Sequence, residues 1–256
     1  MAKYSACIEM LFNDLPMAER AAAAKKCGYS AVEFWHWHRW NINEMKDCGL
    51  PVALALTSSA DEKVRQEFGR IGMFTKDSPA LFREFIHESF ETMKILNPDV
   101  LCVGPMQTIK DMPIEAQEEN MIECLRAVKD IVDKYDTKLA IEPLNPLIDH
   151  AGCYPATSEQ AYRIVRAAGE GFGVLFDIYH QQITEGNLIN NITKGIDVIH
   201  HFHVADVPGR HEPGTGEINF ANVIKTIDSL GYKGYVGCEF NPTTSSEEAS
   251  KFILGL

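Results

Sequence analysis

The amino-acid sequence predicts an α/β protein of the (β/α)8-barrel class. Three observations carry this expectation: eight short, β-rich apolar runs, segments of helical period between them, and a length of 256 residues, which one barrel can consume. Strict alternation of strand and helix calls for a parallel sheet. Eight repeats favour a closed barrel over an open doubly wound sheet.

The runs are Tyr4–Ile8, Ala31–Phe34, Val52–Leu56, Val100–Val103, Lys138–Ile141, Gly173–Phe176, Val198–Val204 and Tyr235–Cys238. Helical patterns cover Pro16–Cys27, Pro79–Leu96, Ile114–Tyr135, Ser158–Ala168 and Phe220–Leu230. Gly28, Gly171 and Gly231 follow three of them, where a C-terminal cap belongs. After the second strand, Trp35–Cys48 has room only for a short helix, and Asp61–Lys76 is a long connection with room for an extra one. No linker, low-complexity tract or shift in composition divides the chain, so residues 1–256 are expected to form one domain.

Hydrophobic residues make up 45% and charged residues 23%, an ordinary globular balance. The net charge of −12 argues against nucleic acid as a partner, because phosphates are bound by clustered Lys and Arg. The seven cysteines are dispersed without CxxC spacing, which fits free thiols in a reducing compartment, with Cys102 and Cys238 buried in apolar runs. No run approaches the roughly 20 apolar residues that cross a bilayer, and the first residues lack a sustained apolar h-region. The expectation is a cytoplasmic protein with no membrane partner.

In such a barrel the reactive groups come from the C-terminal ends of the strands. The fifth strand ends KLAIEPLN and delivers Glu142; the sixth ends GVLFDIYH and delivers Asp177, then His180. The seventh ends IHHFHVAD and delivers His203; the eighth ends YVGCEFNP and delivers Glu239. Taken singly, each has a bland explanation: a Glu at a strand end is often an ion-pair partner, and an Asp there often caps the next helix. Four in succession are harder to explain by capping and packing, and three carboxylates in one mouth are costly without a cation. Three carboxylates and one imidazole suit one divalent metal ion, Mn²⁺, Mg²⁺ or Co²⁺, better than a structural zinc with its usual thiolates. Strand alternation puts His201 and His203 on one face, with His203 nearer the mouth, and turns His200 toward the helices. His36 and His38, in WHWHRW, read either as a substrate-binding wall or as a packed lip.

At these motifs the chain resembles the hydroxypyruvate isomerase family, within the wider xylose-isomerase-like sugar isomerases and epimerases. The resemblance runs over most of the length. It includes SACIEMLFNDLPMAERAAAAKKCGYSAVEF, IEPLN, TSEQA, LFDIYHQQITEGNLI, HVADVPGRHEPGTGEINF and GYKGYVGCEFNP. DIYH together with VPGRHEPGTGEI is specific to that family, whereas the dispersed Glu, Asp, His and Glu belong to the superfamily. The resemblance implies a metal-assisted isomerisation through an enediolate, with Glu142 and Glu239 as both metal ligands and proton-transfer groups. His180 and Arg210 would contact substrate oxygens. The implied substrate is a small carbohydrate or 2-oxo acid, with hydroxypyruvate or a related short 2-oxo sugar acid leading. A ketose 3-epimerase is the alternative and a sugar dehydratase comes third. An endonuclease is disfavoured by the charge, and mere sugar binding has no use for two glutamates placed for proton transfer.

Two departures bear on the substrate. Hydroxypyruvate isomerases often carry Gln at the position of His203, whereas ketose 3-epimerases carry His. The third strand ends ALALTSS, not in the Asn-Leu-Pro of that family. The loop GRHEPGTGEINF is no phosphate-binding fingerprint, and Glu212 and Glu217 should repel an anion that only Arg210 attracts, which favours an unphosphorylated substrate. Related barrels often associate, so a homo-oligomer fits the resemblance, although no segment reads as an interface.

Overall fold

The eight runs become eight strands, each hydrogen-bonded in parallel to the next, and the first and last pair to close the ring. The computed structural model describes residues 2–46 and 48–256. The strands are β1 (Lys3–Cys7), β2 (Ala31–Phe34), β3 (Val52–Leu56), β4 (Val100–Val103), β5 (Lys138–Ile141), β6 (Phe172–Asp177), β7 (Ile199–Val204) and β8 (Tyr235–Cys238). The α-helices among the described residues are α1 (Met17–Cys27), α2 (Ile42–Met45), α3 (Glu62–Ile71), α4 (Ser78–Met93), α5 (Ile114–Ala127), α6 (Lys129–Val132), α7 (Ser158–Ala168), α8 (Ile178–Thr184), α9 (Leu188–Gly195), α10 (Phe220–Ser229) and α11 (Ser246–Leu254).

Local chemistry explains most boundaries. α7 begins at a reciprocal cap, in which the Thr157 hydroxyl accepts from the Gln160 amide and the Gln160 side chain accepts from the Thr157 amide. The long connection after β3 does hold a helix, α3, capped by Asp61 accepting from the Lys63 amide at 2.7 Å. The predicted Ile114–Tyr135 helix is interrupted at Val128, whose φ of −111° and ψ of 4° leave the helical region. Gly28 caps α1 in the left-handed region as expected, but α7 stops at Gly169, two residues before the expected Gly171.

Period-two alternation splits the strand residues into two layers. Outward side chains pack with the helices in one large core, which includes Val32, Phe34, Phe176, Phe202 and Val236. Inward, Leu54, Val100, Cys102, Ala140 and Leu175 form an apolar plug from β3 to β6. The other side of the interior is polar: Ser5, Glu33, His201 and His203 are all buried there and joined by short contacts. Alternation then dictates the mouth. Ala140 and Glu142, Leu175 and Asp177, His201 and His203, and Gly237 and Glu239 share parity, so residues continuing the inward rows meet at the C-terminal rim.

Candidate active site

Four successive strands deliver the expected residues to that rim. Single ligand atoms of Asp177, His203 and Glu239 lie within 4.8 Å of one another, as do those of Glu142, Asp177 and His180. Asp177 does both things its position allows. Its Oδ1 caps α8 by accepting from the Tyr179 amide at 2.8 Å, while Oδ2 is buried with no hydrogen-bond partner among the described residues. Glu142 is partly open to solvent, and Glu239 is 5% exposed.

The two glutamates sit in unequal fields. Crowding by protein pushes the Glu142 carboxyl well above its usual range, and the charge of Glu239 adds to the rise. Burial pushes Glu239 the same way, but His203 and the Arg210 guanidinium outweigh it and hold Glu239 well below that range. Arg210 ion-pairs with Glu239, lies 3.7 Å from Asp177 Oδ2 and stacks 5.3 Å over the Tyr179 ring. Its φ of 56° is rare for a side-chain-bearing residue. Arg210 thus pairs with two of the protein's own rim carboxylates.

His180 is fully buried and its tautomer can be deduced. Asn145 Oδ1 accepts from the Ile148 amide at 3.0 Å, which orients the carboxamide so that Nδ2 donates to His180 Nδ1 at 2.6 Å. The imidazole proton then sits on Nε2, the unpartnered nitrogen 3.5 Å from Asp177 Oδ2. Burial keeps this ring neutral by lowering its pKa. His180 is thus a hydrogen-bond donor toward the mouth and a poor metal ligand.

The remaining predicted residues are placed less centrally. His36 is clamped by Glu9, whose Oε1 accepts from the Trp35 and His36 amides and whose Oε2 lies 2.7 Å from His36 Nδ1. His38 Nδ1 bonds to Ser58 Oγ at 2.9 Å. The two rings meet edge to face at 5.9 Å, each held through Nδ1, and make no ion pair or hydrogen bond with the four rim residues. His200 departs from the expectation: a β-bulge, at which successive residues Val174 and Leu175 face Ile199 and His201, turns its ring to the inner side of the barrel, against Gly173, whose register partner Ala140 faces the interior. Glu212 is buried and its carboxylate accepts from Thr243, through the amide at 2.9 Å and the hydroxyl, so it latches the Gly-rich loop to the segment after β8. Glu217 accepts from Gln182 at 3.1 Å.

Sequence reasoning missed Glu33, Asn145 and Asp206. Glu33 is legible in retrospect as a carboxylate inside the apolar run AVEF, and Asp206 as a second acid following the seventh strand. Buried Asp206 accepts from four backbone amides of its own loop: Val207, Gly214, Gly216 and Ile218.

The donor set fits a divalent cation. Carboxylate oxygens and one imidazole converge, buried Asp177 Oδ2 and His203 Nδ1 lack hydrogen-bond partners, and a cation would offset the charge of Glu239 and Asp177 that adds to the rise of Glu142. A closed parallel barrel with such a cluster at its C-terminal mouth defines the chain as a TIM-barrel protein with an acid-rich, metal-competent centre. The chain belongs to the xylose isomerase-like TIM barrel family, whose model matches residues 21–255. It is 31% identical to the hydroxypyruvate isomerase of Escherichia coli K12, over 99% of this chain and 98% of that one. It is 27% identical to a 2-oxo-tetronate isomerase of Haemophilus influenzae, over 94% of each. A crystal structure titled AP endonuclease, family 2, from Brucella melitensis superposes with a TM-score of 0.88 at 26% identity, covering 100% of this chain and 99% of that one. With relatives of this kind along its whole length, the chain is an isomerase of this family.

Proposed function

We propose that the chain is a divalent-metal-dependent isomerase that interconverts hydroxypyruvate, or a related short 2-oxo sugar acid, with its 2-hydroxy-3-oxo isomer. The observation that carries this reading is the delivery of Glu142, Asp177, His203 and Glu239 by four successive strands to one rim, with buried donor atoms left unpartnered. Full-length similarity to isomerases of hydroxypyruvate and 2-oxo-tetronate supports the substrate class.

Glu142, Asp177, His203 and Glu239 would hold the ion, which supplies stabilisation for negative charge developing on substrate oxygen. One of Glu142 and Glu239 removes the proton from the hydroxyl-bearing carbon next to the carbonyl, giving an enediolate. The other returns a proton to the neighbouring carbon, and the proton of the original hydroxyl passes to the former carbonyl oxygen, so that hydroxyl and carbonyl exchange places. His180 donates from Nε2 to a substrate oxygen, a role its tautomer supports. Arg210 exchanges part of its pairing with Glu239 for the substrate carboxylate, which offsets the repulsion expected in a chain of net charge −12.

A ketose 3-epimerase using the same glutamates is the second reading, favoured by His203 as the imidazole of the set. The experiment is deuterium exchange in D₂O followed by proton NMR, using metal-stripped and Mn²⁺-reloaded protein with hydroxypyruvate, 2-oxo-tetronates and free ketoses. Metal-dependent exchange and product formation with a short 2-oxo acid is the expected result. Exchange confined to C3 of a ketose would replace the isomerase with the epimerase. Equal exchange with and without metal would sink the metal-dependent mechanism.

A further inference from the structure

The steps above leave one buried carboxylate without a task. Glu33 projects from β2 into the polar side of the barrel interior and is fully buried. Its Oε2 accepts from Ser5 Oγ at 2.7 Å and lies 3.0 Å from His201 Nε2, while its Oε1 lies 3.2 Å from His203 Nε2. Room for it is made by Gly237, which stands opposite His203 in the β7–β8 register: a Cβ there would fall 2.4 Å from both Glu33 oxygens. A carboxylate in such a place costs several kcal/mol unless its partners compensate. Helices and loops are not among those partners; Ser5, His201 and His203 all belong to the inner faces of β1 and β7.

The geometry at His203 says what the arrangement does. A neutral imidazole has one N–H and one lone pair, and an acceptor beside one nitrogen draws the proton there. Glu33 stands beside Nε2. Neither ring nitrogen nor Glu33 Oε1 has a hydrogen-bond partner of good geometry among the described residues, and the asymmetry is one of place. Nε2 faces Glu33 inside the barrel, whereas Nδ1 lies 3.3 Å from Glu239 Oε2 at the rim, where the proposed metal ligands converge. We infer that Glu33 is the positioning residue of the metal centre: it holds His203 as the Nε2–H tautomer and sets the ring so that the Nδ1 lone pair is presented to the ion. Ser5 and His201 both engage the second oxygen, which prevents the carboxylate from turning away from His203. This inference rests on the metal-dependent reading given above.

The test combines one variant with one measurement on the parent chain. Glu33→Gln keeps the volume and removes the charge that fixes the tautomer. It is expected to weaken Mn²⁺ binding, read by calorimetry on metal-stripped protein, by about 10–100-fold. Circular dichroism of the same sample reports whether the fold is kept. In the Mg²⁺-loaded parent chain, long-range ¹⁵N–¹H correlation is expected to show His203 protonated at Nε2 and not at Nδ1, a result that needs no variant. An Mn²⁺ affinity within threefold of the parent, or a proton on Nδ1, overturns the role of Glu33 while leaving the metal centre intact. A parent chain that binds neither ion would remove the metal reading, and this inference with it.

Discussion

At the scale of single residues, the centre is a set of charges whose environments differ more than their chemistry. Glu142 is pushed up by crowding and by Glu239, whereas Glu239 is held down by His203 and Arg210. Pairs driven apart in this way are suited to divide acid and base work. Glu142→Gln and Glu239→Gln are each expected to lower turnover by about 10²–10⁴-fold, the usual worth of a positioned acid or base. Because both are proposed ligands, bound Mn²⁺ is measured in each variant; activity within tenfold of the parent at full metal loading would remove that glutamate from the chemistry. Arg210→Met separates the two substrate readings. KM for a 2-oxo acid should rise at least tenfold, about 1.4 kcal/mol, with a smaller effect on any neutral ketose. Equal changes for both would deny Arg210 a carboxylate partner.

At the scale of elements, the loop after β7 is organised from within. Asp206 takes four backbone amides of that loop, and Gly216 has no room for a side chain, since a Cβ would lie 2.1 Å from the Val207 carbonyl oxygen. The same loop holds Arg210 at positive φ over Tyr179, and Glu212 ties its far side to Thr243. Asp206→Asn loses acceptor capacity at a buried site, where an unsatisfied amide costs about 1–3 kcal/mol. The melting temperature should fall by about 2–12 °C, and the pairing of Arg210 with Glu239 should loosen. A calorimetric scan and the KM for the 2-oxo acid read the two effects, and an unchanged melting temperature would mean that the loop is held by other contacts. At the bulge near the start of β7, burial lowers the pKa of His200 to about 4, with Lys138 adding to the effect. Its ordinary value is about 6.5, so between pH 6.5 and 4 the unfolded chain binds the extra proton. The stability that neutral His200 preserves is therefore full above pH 6.5 and is lost as pH falls, by about 2 kcal/mol at pH 5. Urea unfolding of the parent chain and of His200→Gln should show a difference that shrinks by that amount between pH 7 and pH 5; a constant difference would contradict it.

At the scale of the whole molecule, the barrel is a rigid frame whose interior is divided between an apolar plug and a polar side leading to the mouth. The acids of the rim are destabilising in the absence of compensation, so a bound cation should stabilise the entire fold. An ion at one hundred times its dissociation constant contributes about 2.7 kcal/mol. Chelation should then lower the melting temperature by about 5–11 °C, restored by Mn²⁺. No such shift in a sample shown to lose its metal would place the ion outside the folded centre. No helix among the described residues is long and apolar enough to cross a membrane.

Much of this was legible from residue order alone, because strand and helix periods, capping residues and strand ends are local properties. The strand boundaries agree to within a residue or two, and Glu142, Asp177, His203 and Glu239 stand out because each directly follows or ends an apolar run. Gly171 is the expected cap of α7, but Gly169 holds that place, because both glycines are eligible and only the end of the helix chooses between them. Other features depend on who faces whom across the closed ring. Glu33 and His201 are 168 residues apart in sequence, and only closure of β1 on β8 puts β2 and β7 within reach of one carboxylate. Likewise the clamps on His36 and His38, the latch through Glu212 and the tautomer of His180 follow from partners that the chain brings in from other loops. Period and capping determine which residues reach the mouth; tertiary closure determines their partners, and with them their charge, tautomer and freedom to act.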